Sequence, residues 1–130
     1  MVYMNSNSIK PDSTHILADF RNCDANTLIK SEVGETIVKR AVNDSGLCAV
    51  DVKSYQFQPQ GYTVAALLTE SHITLHSWPE YNSVQIDIFT CSSHEKCRKA
   101  YLSLKKAFNP KDVAVKCFMR NLETIVEEDI

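Results

Sequence analysis

Between Thr69 and Glu80 the chain gathers a serine hydroxyl (Ser71), two imidazoles (His72, His76), an indole (Trp78) and two carboxylates (Glu70, Glu80). The first chemistry to test is metal binding, because His72-x-x-x-His76 has the spacing of a zinc pair. That spacing works on a helix, where residues i and i+4 are neighbours. Here Ile73 and Leu75 alternate with His72, Thr74 and His76, and Trp78-Pro79 ends the run, which is the pattern of a short strand. Along a strand the two imidazoles share a face but stand about 13 Å apart, at roughly 3.3 Å per residue. One ion cannot bridge them, and no metal is expected.

Glu70-Ser71-His72, then His76 and Trp78-Pro79-Glu80, then Asp87-Ile88-Phe89-Thr90-Cys91 form an ordered set that resembles the small prokaryotic S-adenosylmethionine decarboxylases. The resemblance runs from about Thr14 to about Phe118. It implies a proenzyme that cleaves itself between Glu70 and Ser71 into residues 1–70 and 71–130, leaving a pyruvoyl group derived from Ser71 at the start of the second fragment. In turnover that ketone forms a Schiff base with the substrate amine. By the same resemblance His76 serves in processing and Cys91 donates a proton to the carbanion equivalent. Thr63 stands where the family usually has a processing serine, keeping the hydroxyl while adding a methyl. Ser92 stands where the family commonly has glycine. Phe57, Trp78 and Glu80 match positions that line the nucleoside site. The implied activity is release of carbon dioxide from S-adenosylmethionine, giving the aminopropyl donor for spermidine synthesis, in a homodimer that pairs its protomers across the active sites.

The residue types suit that chemistry. Decarboxylating an amino acid requires an electron sink, which no ordinary side chain supplies. The three glycines, Gly34, Gly46 and Gly61, are scattered and form no phosphate-binding loop, so a sink made from the backbone removes the need for pyridoxal phosphate. An adenine stacks on aromatic faces, a sulfonium gains from a ring quadrupole, and ribose hydroxyls find an acceptor in a carboxylate. Two alternatives stay open: a pyruvoyl enzyme of the same fold acting on arginine or ornithine, and an uncleaved, silent homologue that regulates an active relative.

A chain of 130 residues is the length of one domain, 1–130. Its formal net charge of −2 comes from interspersed signs, which gives no reason to expect nucleic acid. No apolar run reaches the roughly 20 residues of a membrane span, and the five scattered cysteines form no Cys-x-x-Cys pair, so a cytoplasmic protein with reduced thiols is expected. Residues 1–12 read as a loose leader.

The elements follow from periodicity. Strands are expected at His15–Phe20, Leu47–Phe57, Tyr62–Leu68, His72–His76, Val84–Thr90 and Val113–Phe118. The run Tyr62–Leu68, apolar almost throughout, reads as a buried central strand. Helices are expected from about Asn26 to Asn43, on the stripe Ile29, Val33, Ile37, Ala41, and from Ser92 or Ser93 to Phe108, on Cys97, Ala100, Tyr101, Leu104 and Phe108. The acidic tail Glu123–Ile130 is expected to fray. The sum is an α+β two-layer sandwich, a mainly antiparallel sheet with both helices packed on one face.

Overall fold

The structure is a computed structural model that describes residues 11–130. The leader expected at 1–12 therefore falls almost wholly outside the described residues. Seven strands, β1 (Ser13–Arg21), β2 (Ala49–Gln56), β3 (Tyr62–Leu68), β4 (Ser71–Trp78), β5 (Ser83–Thr90), β6 (Asp112–Arg120) and β7 (Ile125–Glu128), form one sheet in the order β2-β3-β4-β5-β1-β6-β7. Every pairing is antiparallel. Two helices, α1 (Ser31–Ser45) and α2 (His94–Phe108), lie on one face.

The core sits between them. Val38 and Ala41 of α1, with Cys97, Ala100, Leu104 and Phe108 of α2, pack against Ile16, Phe20, Val64, Ile73, Leu75, Val84 and Ile88 of the sheet, all fully buried. Each aliphatic or aromatic side chain so buried contributes roughly 1.5–3 kcal/mol. The alternation that fills this layer leaves every second residue on the opposite, helix-free face. There β3 and β4 present Thr63, Ala65, Leu67, His72, Thr74 and His76, with Leu67 57% exposed in a single copy. Tyr62–Leu68 is thus half-buried: its apolar composition reflects two apolar surfaces, only one of which the helices cover.

Two boundaries differ from the periodic pattern. The segment Ala25–Thr27 is a single 3-10 turn and α1 starts only at Ser31, leaving Ile29 outside the helix with its carbonyl bonded to the Gly61 amide at 3.1 Å. The tail does not fray: β7 pairs with β6 from Ile125↔Arg120 to Glu128↔Cys117. The turn Asn121–Thr124 makes that hairpin, because Asn121 Oδ1 accepts from the Glu123 and Thr124 amides at 3.0 and 2.9 Å. At the start of α2, Ser93 is the cap, its hydroxyl accepting from the Lys96 amide.

Gly34 lowers helix propensity but permits a close approach of α1 to the Tyr62 ring. A Cβ there would lie 2.3 Å from Cε1 of Tyr62, a ring fully buried and tied by its hydroxyl to the Thr27 carbonyl at 2.7 Å. Tyr62 cannot swing aside without breaking that bond. Gly34→Ala is therefore expected to destabilise by about 2 kcal/mol despite the better helix former, read as a fall in Tm of several degrees. An unchanged or higher Tm would mean that the helix shifts at no cost.

Candidate active site

Ser71 is the first residue of β4, just past the two-residue turn Thr69-Glu70, and it lies in register with Leu68 on one side and Thr90 on the other. The Thr69 amide donates to the Cys48 carbonyl at 3.0 Å, and the Cys91 amide donates to the Glu70 carbonyl at 3.1 Å. The carbonyl that precedes Ser71 is thereby held and polarised from the end of β5. Ser71 Oγ itself is buried with no hydrogen-bond partner. Leaving such a hydroxyl unpaired costs roughly 1–3 kcal/mol, so this atom stands out in the fold. The Cys91 sulfur accepts from Ser13 Oγ at 3.5 Å, and the Ser92 amide donates to Thr90 Oγ1 at 3.0 Å. Glu70, Ser71 and Cys91 are therefore brought together by one hairpin turn and one strand end.

The remaining predicted residues form a second group. Thr63 and His76 are register partners on β3 and β4, with Thr63 Oγ1 3.2 Å from His76 Nδ1. They border a cleft of about 450 Å³ that also takes in Phe57, Gly61, Trp78 and Glu80. Trp78 is held by its indole N–H, which donates to Gln85 Oε1 at 3.0 Å, and Phe57 leans edge-on against Tyr55 with ring centroids 5.0 Å apart. Both rings keep nearly half their surface open, Trp78 44% and Phe57 49%. The two groups are far apart. From Ser71 to His76 along β4 the rise is roughly 17 Å at about 3.3 Å per residue.

A third constellation escaped the sequence reading. On the open face His15 Nε2 lies 2.6 Å and His72 Nε2 3.6 Å from Asp87 Oδ1, and the possible ligand atoms of all three lie within 4.8 Å of one another. Arg120 Nη1 is 3.1 Å from His15 Nδ1. A guanidinium can only donate, so Nδ1 accepts and the His15 proton sits on Nε2, pointing at Asp87. His72 also stacks on Phe89, over which Arg120 lies 4.9 Å from the ring centroid. The hydrogen bond from His15 holds the Asp87 carboxyl below its ordinary range against the opposing effect of burial, with attraction to His15 and His72 adding to it. Period-2 alternation puts each residue on this face, but the cross-strand register that joins them is set by the whole sheet.

Among the thiols, burial pushes Cys97 up to about 12, with Cys117 and Asp87 adding to the shift. Burial likewise pushes Cys23 to about 11, with Asp24 adding and a backbone hydrogen bond opposing. Both are packing residues, as is Cys117. Cys91 is half-buried beside the Glu70–Ser71 turn, and Cys48 is exposed.

An antiparallel sheet backed by two helices, with a hydrogen-bonded backbone carbonyl beside an unpartnered serine at one end and an aromatic, carboxylate-edged cleft at the other, has the architecture of the α+β sandwich enzymes. Comparison with known proteins narrows the class. The family described as S-adenosylmethionine decarboxylase matches residues 14–121. A protein of Picrophilus torridus named S-adenosylmethionine decarboxylase proenzyme is 34% identical over 116 residues, 89% of this chain and 88% of its own. One of the same name from Thermotoga maritima is 38% identical over 101 residues, 78% of each chain. The crystal structure of the adenosylmethionine decarboxylase from Aquifex aeolicus superposes with a TM-score of 0.81 at 30% identity, covering 93% of this chain and 98% of that one. The chain belongs to the S-adenosylmethionine decarboxylase family. Its two-layer α+β architecture is the one expected. No helix among the described residues is long and apolar enough to cross a membrane.

Proposed function

We propose that the chain is a proenzyme that cuts itself between Glu70 and Ser71 and then, carrying a pyruvoyl group at residue 71, decarboxylates S-adenosylmethionine at a site completed by a second copy. The observation that carries this reading is the buried, unpartnered Ser71 hydroxyl next to a Glu70 carbonyl already pinned by the Cys91 amide.

In processing, Ser71 Oγ attacks the Glu70 carbonyl carbon, and the negative charge that develops on its oxygen faces the Cys91 N–H. The hydroxyl proton passes to the departing Ser71 nitrogen as the C–N bond breaks, leaving an ester. Loss of the Ser71 Cα proton then expels the Glu70 carboxylate and leaves a dehydroalanine, which takes up water and releases ammonia to become a ketone. Thr63 and His76, hydrogen-bonded to each other at 3.2 Å but roughly 17 Å from Ser71 in their own copy, supply from a second copy a hydroxyl and a base of the kind these proton movements need.

The residues around Ser71 fit a pyruvoyl group, since its precursor hydroxyl has no competing partner; once formed, the ketone supplies the electron sink for the pair left by carbon dioxide. Cys91, whose sulfur accepts from Ser13 at the same strand end, is the group placed to donate a proton to the carbanion equivalent. Phe57 and Trp78 offer open aromatic faces to an adenine, and Glu80 accepts from ribose hydroxyls.

The test is carbon dioxide release from carboxyl-labelled S-adenosylmethionine, arginine and ornithine by the purified protein. Release from S-adenosylmethionine alone is expected. Preferential turnover of either of the other two would overturn the substrate assignment.

A further inference from the structure

Phe57 forms one wall of the proposed nucleoside cleft, yet it is half-exposed, and its ring partner among the described residues is Tyr55, itself 64% exposed. No core packing fixes such a ring. Its position is set by the backbone of the loop 57–61, and that backbone converges on one side chain.

Gln56, the last residue of β2, accepts at Oε1 from the Ser31 amide at 2.6 Å. Its Nε2 lies 2.9 Å from the Ile29 carbonyl, 3.0 Å from that of Phe57 and 2.9 Å from that of Gly61, so two protons are shared among three acceptors. The two ends of the loop also meet each other, Phe57 N–H donating to Gly61 O at 2.8 Å. Gly61, at φ +100°, then lays the chain against Pro79, where an added Cβ would come within 3.3 Å of the ring. One carboxamide thus ties the Phe57 wall of the cleft to the start of α1 and, through Gly61, to the Trp78-Pro79-Glu80 wall.

Resting on the function proposed above, we infer that Gln56 is the positioning residue for the nucleoside part of the substrate. It needs both polarities of a carboxamide. The oxygen takes the place of the cap that Lys30 does not provide for α1, and the nitrogen holds the loop carbonyls. Leucine at this position removes both functions. Glutamate keeps an acceptor for Ser31, in a favourable place at a helix N-terminus, but sets lone pairs against the three carbonyls.

The experiment uses the self-cleaved enzyme and compares wild type, Gln56→Leu, Gln56→Glu, Phe57→Ala and a core control, Val38→Ala. Each is assayed for extent of cleavage by intact mass, for Tm, and for KM and kcat with S-adenosylmethionine. Both Gln56 variants are expected to raise KM about tenfold with kcat within about twofold and cleavage complete, since misplacing a binding wall weakens substrate and transition state alike. Gln56→Glu is expected to do so with little loss of Tm. Val38→Ala lowers Tm and leaves KM unchanged. If Phe57→Ala raises KM while both Gln56 variants do not, or if Val38→Ala raises KM equally, the positioning role is overturned and the cleft assignment stands. If Phe57→Ala also leaves KM unchanged, the cleft assignment fails and this inference with it.

Discussion

With alanine at residue 71 the purified protein is expected to give one uncut chain of 130 residues on a denaturing mass spectrum, and to release no carbon dioxide above background. The wild-type chain is expected to give two fragments, residues 1–70 and 71–130, the second blocked to Edman degradation and reactive toward hydride. Removing the attacking oxygen abolishes the covalent step outright, so a loss of at least about 10⁴-fold in cleavage rate follows. No neighbour replaces it: Thr90 Oγ1 is engaged by the Ser92 amide and the Cys91 sulfur by Ser13. The stability readout separates chemistry from folding. Ser71 Oγ has no partner to lose, so relative to the still uncut wild-type chain its deletion relieves a desolvated hydroxyl, and Tm is expected to hold or rise. Fragments split at residue 70 in the alanine variant would rule out Ser71 as nucleophile. A wild-type chain that stays whole on long incubation would leave this protein a silent member of its family.

Most of the scaffold was readable because local pattern and tertiary demand agree. The stripe Cys97, Ala100, Tyr101, Leu104, Phe108 gives α2 to its last residue, with Asn109 in the left-handed conformation just beyond. The alternation in Val84–Thr90 gives β5, bracketed by β1 and β4. What was misread has one physical origin, interactions between residues distant in sequence. The stripe extended α1 back to Asn26, whereas the helix starts at Ser31, whose amide donates to Gln56 Oε1 from the end of β2. The tail looked too polar to order, and all four residues of β7 are exposed; backbone pairing to β6, started by Asn121, holds it instead.

The site was legible as a set of residues and illegible as a place. Ser71, His76 and Cys91 share a short span, which suggests one cluster. On a strand, though, nearness in sequence means separation in space, and Ser71 and His76 end up near opposite ends of β4. The His15–Asp87–His72 network is the converse, three residues from three strands that meet through register alone.

That separation makes the last prediction a sharp one. If Thr63 and His76 act on Ser71 at all, they act across roughly 17 Å within one copy, which no proton transfer spans, or from a second copy placed on the open face. That face carries Leu17, Tyr55 and Leu67, each exposed in the isolated chain, and an apolar groove of about 640 Å³ runs over it past Thr74, His76 and Asp87. Expressed alone, His76→Ala is expected to remain largely uncut and Ser71→Ala wholly so. Expressed together they form mixed dimers in which one site carries both lesions and the other carries neither. Cleavage of the His76→Ala chain is then expected to appear, limited by the fraction of mixed dimers, about half for random pairing of equal amounts. A mass tag on one variant shows which chain is cut, and only the chain that keeps Ser71 should be. If co-expression produces no cleavage, while size-exclusion chromatography shows that mixed dimers form, the two groups do not meet between protomers. His76 would then have no part in processing, and its bond to Thr63 would serve to fix the edge of the substrate cleft.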